Sequence, residues 1–356
     1  MKIGLLLNAN LAYSPYVKIY SGIMQEMQID YSFLSWDRVN CGETEGLVYK
    51  KNFPYGNNNI ITWILRYWKY SKFLKHHIEL NRYDKLIVFG PQVGLFLYKF
   101  LNSNYKNIFC FDFRDLFIEH YFPKLFEKLL GISALNVISS PGFKEYLPKK
   151  FNYLISHNLN IKALEAAIQN NRITEIFSRD IITISTIGFI RDFNENYQVI
   201  KALSGKPDYL LKFIGEPNND GIKLRQTCNT LKNVEFTDFF RQEDVPELIS
   251  DADFINIYRP HDYTCSSTLT NRFYTALMYK KPMIVTKGSI EGSYVERFNL
   301  GLSIENCSSL DEQIKDFISS FNQQEFISNC HSLLREFKSD YDLFKLKFAE
   351  FLNSNC

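Results

Sequence analysis

The chain has 356 residues, of which 46% are hydrophobic and 22% charged, with a formal net charge of +2. This composition excludes a disordered chain, and the near-neutral balance leaves no general electrostatic footprint for nucleic acid. The length exceeds what one small core normally holds, so two domains are expected.

The first apolar run, 2–8, ends in a polar turn and reads as a buried strand rather than a signal peptide. Ser14 and Pro15 then fit a helix cap and a first helical position. Further strands are expected at 31–36, 85–90, 108–113 and 135–139, with helices at 60–80, 93–101 and 116–130. Such alternation argues for a mostly parallel sheet covered on both faces. The polar stretch 158–171 reads as a crossing between domains. A second series follows, with strands at 181–187, 209–215, 234–236 and 254–258. Gly188 turns the chain after the first of these, and helices are expected at 196–203, 222–231 and 245–250. The longest apolar runs, such as 181–190, reach about ten residues, too short to span a bilayer.

Residues 269–286 read as a helix, a tight turn and a buried strand. Thr270 or Asn271 can cap the helix, and Phe273 and Leu277 mark its apolar face. Lys280 and Lys281 fall in the last turn, where cations suit the helix dipole, and Pro282 stops the helix. A loop of small residues containing Ser266, Ser267 and Thr268 precedes it. Free N–H groups, the positive dipole end and Arg272 together suit a diphosphate. An ordinary αβ unit fits the same residues. A last helix is expected at 291–298. From residue 324 the chain is helical, and Phe337, Tyr341, Phe344, Phe348 and Phe351 form a stripe that reads as core.

The expected fold class is therefore α/β, with two Rossmann-like doubly wound domains, a cleft between them and a C-terminal helix. The boundaries read as 1–160, 161–323 and 324–356, the last segment packing back toward the N-terminal domain.

Seven scattered cysteines and six histidines show no metal-ligand spacing, and the odd cysteine count suits a reduced, cytoplasmic protein. Residues 111–120 follow a strand, which would bring Asp112 and Asp115 to a cleft edge. His120 has the intrinsic pKa for proton transfer. These three are the candidate catalytic residues; a helix cap at Asp115 and a surface His120 is the other reading. Within 60–80, Arg66, Lys69, Lys72 and Lys75 interleave with aromatic residues. Peripheral contact with an anionic membrane fits this pattern, and so does a packed helix with a solvated basic face. Neither Gly-x-Ser-x-Gly nor Gly-x-Gly-x-x-Gly occurs, which argues against a hydrolase elbow and a dehydrogenase fingerprint.

From Thr183 onward the signals come in a specific order. A strand leads into Gly188-Phe-Ile-Arg191, and a second strand ends at Gly215. A third segment ends in Phe239-Phe240, Glu247-Leu-Ile-Ser-Asp-Ala-Asp253 follows, and then comes Asn271–Thr286. A helix and a glycine turn at 292–301 close the series. Over roughly 180–305 this ordered set resembles the nucleotide-binding domain of the GT-B glycosyltransferases, especially the retaining, glycogen-synthase-like branch. The N-terminal half matches only in its βα rhythm, as suits an acceptor-binding half.

The resemblance implies a role for each matching position. Gly188 lets the first turn approach a donor diphosphate, and Arg191 neutralises its charge. Gly215 marks the turn after the second strand. Phe239 and Phe240 meet the nucleotide base. Ser266, Ser267, Thr268, Asn271, Arg272 and Thr275 line the donor helix and the loop before it. The chain departs from the family at Thr275, where a glutamate normally holds the ribose. It departs again at Ser267, where a second acid is usual, and near Asn194 and Glu195, where a lysine is usual.

The implied activity is glycosyl transfer of the hexosyl type, retaining and metal-independent. It moves a sugar from a UDP- or GDP-sugar to a glycan, lipid-linked or protein-linked acceptor in surface polysaccharide or glycoconjugate biosynthesis, such as capsule or lipopolysaccharide. No bound cofactor and no nucleic acid are expected. The expected location is cytoplasmic, at the inner face of the plasma membrane if residues 60–80 touch lipid. Two alternatives remain open: a catalytically inactive partner or chaperone subunit of a glycosylation complex, and a nucleotide-sugar epimerase of the same fold.

Overall fold

The computed structural model describes residues 1–53, 59–115, 119–170 and 175–354, apart from the side chain of His120. Two compact units divide the chain: residues 1–158 together with 339–356, and residues 159–338.

The first unit holds strands β1 (Lys2–Leu6), β2 (Asp30–Asp37), β3 (Leu47–Lys50), β4 (Lys85–Phe89), β5 (Phe109–Phe113), β6 (Leu135–Ile138) and β7 (Leu154–Ile155). They form one sheet in the order β3-β2-β1-β4-β5-β6-β7, parallel throughout. Its helices are α1 (Val17–Glu26), α2 (Ile60–Asn81), α3 (Pro91–Asn104) and α4 (Pro123–Ile132). The central strands are apolar at nearly every position because both faces are covered. Leu6, Leu86 and Val88 point into the core under α2, α3 and α4. Ile3, Leu5, Ile87 and Phe89 pack on the other side against α1 and against Phe344, Phe348 and Phe351 of the C-terminal helix.

The second unit contains α5 (Ile161–Gln169) and strands β8 (Ile182–Ile187), β9 (Tyr209–Ile214), β10 (Val234–Thr237), β11 (Phe254–Ile257), β12 (Met283–Thr286) and β13 (Gly301–Ile304). The sheet order is β10-β9-β8-β11-β12-β13, again parallel. The remaining helices are α6 (Phe193–Leu203), α7 (Asn219–Cys228), α8 (Val245–Leu248), α9 (Tyr263–Ser267), α10 (Asn271–Met278), α11 (Ile290–Phe298), α12 (Leu310–Ser319) and α13 (Gln323–Asn353). Phe337 of α13 is core in this unit. Residues of α13 from Ser339 onward belong to the first unit.

Both sheets reverse strand order beside their first strand, the doubly wound pattern expected from the βα rhythm. Several local expectations resolve differently. Ser14 does not cap α1: its hydroxyl is buried and donates to the Asn10 carbonyl at 3.0 Å, and the helix begins at Val17. Within 116–130, residues 116–118 lie outside the described residues, a short turn covers Glu119–Tyr121, and α4 begins only at Pro123. Proline at the first helical position defines that start. The hydroxyl-rich stretch before α10 is the short helix α9 rather than a loop.

The lysines after α10 also behave differently from dipole-facing cations. Lys280 takes a left-handed backbone with φ of 53°. Its Nζ donates to the carbonyls of Ala167 and Asn170 at the end of α5. Lys281 donates to the Ser250 carbonyl just after α8, at 2.9 Å. Both are buried and satisfy carbonyls that their own helices leave open. In the first unit Lys85 plays the same part for the end of α13.

Asp311, in the first turn of α12, fixes the edge of the second unit. Its carboxylate accepts from Lys206 Nζ at 2.5 Å, from Tyr209 Oη at 2.6 Å and from Lys315 Nζ at 3.2 Å. These donors, led by Lys206 and Tyr209, hold the carboxyl far below its ordinary range. The stability they contribute is therefore present above the usual aspartate range, around pH 4. It is lost as pH falls toward the depressed native value. Asp311→Asn is expected to cost about 1.5–3 kcal/mol at pH 7. In urea unfolding the difference from the parent should shrink progressively below pH 4. An equal difference at pH 7 and in strong acid would show that the carboxylate charge does not carry the effect.

Candidate functional site

In a doubly wound sheet, ligands lie beyond the carboxyl ends of the strands where the order reverses. In the second unit that point falls between β8 and β11. The loop after β8 carries Gly188 and Arg191, and Arg259 lies just beyond the end of β11.

The loop after β8 is shaped by two glycines. Gly188 has φ of +102° and Gly215 has φ of +139°. A Cβ on Gly215 would sit 1.9 Å from the Gly188 carbonyl oxygen, so only glycine lets the two turns cross at this distance. Gly188 N donates to the Ile214 carbonyl and Ile190 N to the Glu216 carbonyl, each at 2.9 Å. From inside, Asn196 Nδ2 donates to the carbonyls of Arg191 and Asp192, at 2.6 and 3.1 Å. Asn256 Nδ2 in turn donates to Asn196 Oδ1 and to Thr186 Oγ1. A buried polar network thus sets the loop before any ligand arrives.

Arg272 reaches this loop from the first turn of α10. Its Nε donates to the Ile187 carbonyl at 2.6 Å and one Nη to the Phe189 carbonyl at 2.7 Å. Thr270, not Asn271, is the cap of α10, accepting from Phe273 N at 3.2 Å. Thr270 is itself held by buried Glu291, which accepts from its N–H at 2.8 Å and its hydroxyl at 2.7 Å. Burial pushes the Glu291 carboxyl up, with Arg259 and Thr270 opposing.

Arg259 is buried, with one Nη 3.3 Å from Thr268 Oγ1 and the other 3.2 Å from Cys265 Sγ. Its Nε lies 4.0 Å from Asp192 Oδ2 and makes no hydrogen bond. Arg191 faces the same carboxylate oxygen at 3.6 Å. Burial, reinforced by the neighbouring Arg191 and Arg259, pulls the Arg272 guanidinium down to about 10. Three guanidiniums therefore share one neighbourhood with Asp192 and Glu291, and their mutual repulsion leaves the place receptive to an anion.

The other expected donor residues are less uniform. Asn271 is the exposed first residue of α10, and Thr275 lies half-buried one turn further on. The Ser267 hydroxyl donates to the Tyr263 carbonyl and the Thr268 hydroxyl to the Thr264 carbonyl, so both are turned onto their own short helix. Ser266 Oγ is buried without a hydrogen-bond partner. Phe239 is 74% exposed, whereas Phe240 packs against the core of the unit.

Asp112 and Asp115 lie in the first unit, at and just after the end of β5. Asp112 is completely buried, and its Oδ2 accepts from Tyr20 Oη at 2.5 Å and from Arg114 Nε and Nη2 at 3.1 and 2.8 Å. Burial opposes the Arg114 charge, but the adjacent Asp112 more than restores it and holds the guanidinium above its ordinary value. This is the geometry of an internal ion pair rather than of a base open to an acceptor. Asp115 is exposed, and the His120 side chain lies outside the described residues. Among the described residues no group of three or more histidine, cysteine and acidic side chains is placed to hold a metal ion.

Sequence reasoning passed over Arg259, Asp192 and Glu291. Position offered a signal for Arg259, since the first residues after the fourth strand of such a sheet flank the reversal point. Nothing local marked Glu291, which matters through a contact to Thr270 that crosses between helices.

No family model and no curated protein matches the sequence. Solved structures do match it over nearly its whole length. A sucrose-phosphate synthase from Thermosynechococcus elongatus superimposes with a TM-score of 0.73 at 12% identity, covering 99% of this chain and 100% of that one. Anabaena HepE in complex with UDP gives 0.67 at 14% identity, with 100% of each chain covered. A UDP-forming α,α-trehalose-phosphate synthase from Burkholderia vietnamiensis gives 0.65 at 9% identity, covering 99% and 100%. The chain has the GT-B fold. At these identities the likeness establishes the architecture alone, because GT-B scaffolds keep their strand order while their sites diverge.

Proposed function

We propose that this chain is a glycosyltransferase, moving a sugar from a UDP- or GDP-sugar to a glycan, lipid-linked or protein-linked acceptor. The observation that carries the reading is the gathering of three guanidiniums at the reversal point of the second sheet, Arg272 on the Gly188 turn and Arg191 and Arg259 beside Asp192. Breaking a sugar–diphosphate bond builds negative charge on the leaving phosphate. Pre-aimed guanidiniums stabilise that charge without reorganising. The similar HepE structure contains UDP, which makes UDP the first ligand to try. Exposed Phe239 is the ring available to a base.

In the same reading the enzyme is a retaining hexosyltransferase that works without a metal, since the cations come from the chain itself. Retention needs no protein nucleophile when the acceptor attacks from the face the diphosphate leaves. Thr275 in place of the usual glutamate therefore weakens the hold on ribose more than the chemistry. Asp115 and His120 are retained as proton acceptors; buried Asp112 positions Arg114. Synthesis of a surface polysaccharide, at the cytoplasmic side of a membrane met by residues 60–80, completes the reading. No helix among the described residues is long and apolar enough to cross a membrane.

Thermal unfolding with UDP, GDP and CMP tests this proposal. At a hundred times its Kd, a bound nucleotide stabilises the protein by about 2.7 kcal/mol. Folded protein that none of the three stabilises would overturn the assignment. Thr275 and Ser267 favour the second reading, an inactive partner subunit. UDP binding without any release of sugar from UDP-sugars, in the presence of glycan acceptors, would support it.

A further inference from the structure

Helix α2 buries Trp63, Tyr67, Tyr70, Leu74 and Ile78 on one face. The exposed face that adjoins it is not simply polar. Ile60, Ile61, Ile64, Leu65 and Trp68 are each between 43% and 64% exposed. They recur at one-, three- and four-residue steps, an arc of about 140° over roughly 12 Å of helix. Isolated exposed apolar residues are ordinary, but a contiguous group of five on one helix face is not. The same face then changes character. Lys69, Lys72 and Lys75 are exposed along the next two turns, and Lys72 Nζ lies 3.5 Å from the centre of the Trp68 ring. Glu79 is the acid nearby, 3.8 Å from Lys75.

We propose that this face of α2 docks on an anionic lipid surface, the Ile60–Leu65 end entering the acyl boundary and Lys69, Lys72 and Lys75 resting among the headgroups. The order along the helix, aliphatic then Trp then lysine, reproduces the order of depth in a bilayer interface. The convex face of a single helix offers no pocket for a protein anchor, and its cations complement acidic headgroups. This inference names the surface for the membrane contact included in the functional reading. It rests on α2 alone and does not require the transferase reading to hold.

Sedimentation of the full chain with vesicles of phosphatidylcholine, with and without 30 mol% phosphatidylglycerol, tests it (~30 mol% is ample for polybasic attraction). Binding is expected to the anionic vesicles only, and to weaken with salt. The triple variant K69E/K72E/K75E should lower the partition coefficient on the order of 100-fold. Ile61→Glu with Trp68→Glu should abolish binding. All five positions are exposed, so both variants should keep the parental melting temperature. No binding of the folded parent, or binding that neither variant alters, overturns the proposal. A dimer broken by the same variants, without vesicle binding, also overturns it and assigns the face to a second copy. UDP stabilisation measured on the same samples separates the two claims: vesicle binding without any nucleotide response upholds the docking face while the transferase reading fails.

Discussion

Replacing Arg272 with alanine is expected to remove about 2–5 kcal/mol of UDP binding, a loss of roughly 30-fold or more in affinity. The guanidinium sits where its Nε and one Nη bind the carbonyls of Ile187 and Phe189, so it holds the Gly188 turn and supplies charge at once. Burial beside Arg191 and Arg259 already works against its proton, pulling it to about 10. A diphosphate bound there relieves that repulsion, and the benefit appears only in the complex. The variant should therefore lose ligand-induced stabilisation while changing little in ligand-free stability beyond the two lost hydrogen bonds. Arg272→Lys keeps charge but not the two-carbonyl grip and should fall between parent and alanine. Calorimetric titration with UDP at low and moderate salt checks all three forms. Parental UDP affinity in Arg272→Ala would remove Arg272 from the site and leave Arg191 and Arg259 to be tested instead.

The second large effect concerns stability. Lys85 lies in β4 with its side chain completely buried. Its Nζ donates to the carbonyl of Phe351, to those of Leu352 and Ser354 at 3.1 and 2.6 Å, and to Ser354 Oγ at 2.8 Å. The last carbonyls of a helix have no partner within it. One lysine from the middle of a sheet supplies several of those missing partners at the end of α13. Lys85→Met keeps the chain length but leaves the carbonyls buried and unpaired, at about 1–3 kcal/mol each. A net loss of about 3 kcal/mol is expected, lowering the melting temperature of a unit this size by roughly 6–12 °C. Hydrogen exchange should quicken first in the last two turns of α13. A melting point within about 2 °C of the parent would show that water replaces the ammonium group at this helix end.

Much of the fold was legible because apolar periodicity depends on local sequence. The strands at β1, β4, β5, β8, β9, β11 and β12 stood out as short apolar runs between turn residues. Short β3 and β7 did not, since three half-buried residues and an exposed lysine in the one, and two half-buried residues in the other, make no pattern. At the site, Gly188 and Gly215 were legible as turns, and Arg272 as the charge on a capped helix. Arg259 was marked only by its place after the fourth strand of the second sheet, and a lone arginine there looks like any surface residue until its burial is known.

By itself the sequence determined the order and kind of the main elements, the doubly wound character of both halves and the segment 269–286 as a helix followed by a buried strand. Only the tertiary structure decided what the polar groups in those elements do. Ser14 turned from a helix cap into a buried donor to Asn10. Lys280 and Lys281 became partners for the ends of other helices, and Lys85 found α13 more than 260 positions away. Ser267 and Thr268 spent their hydroxyls on their own short helix, while Arg259 stayed buried with an unused Nε. The physical reason is the same in each case. Periodicity assigns a residue to a face through its neighbours in sequence, but a buried polar atom must find its partner wherever the fold brings one.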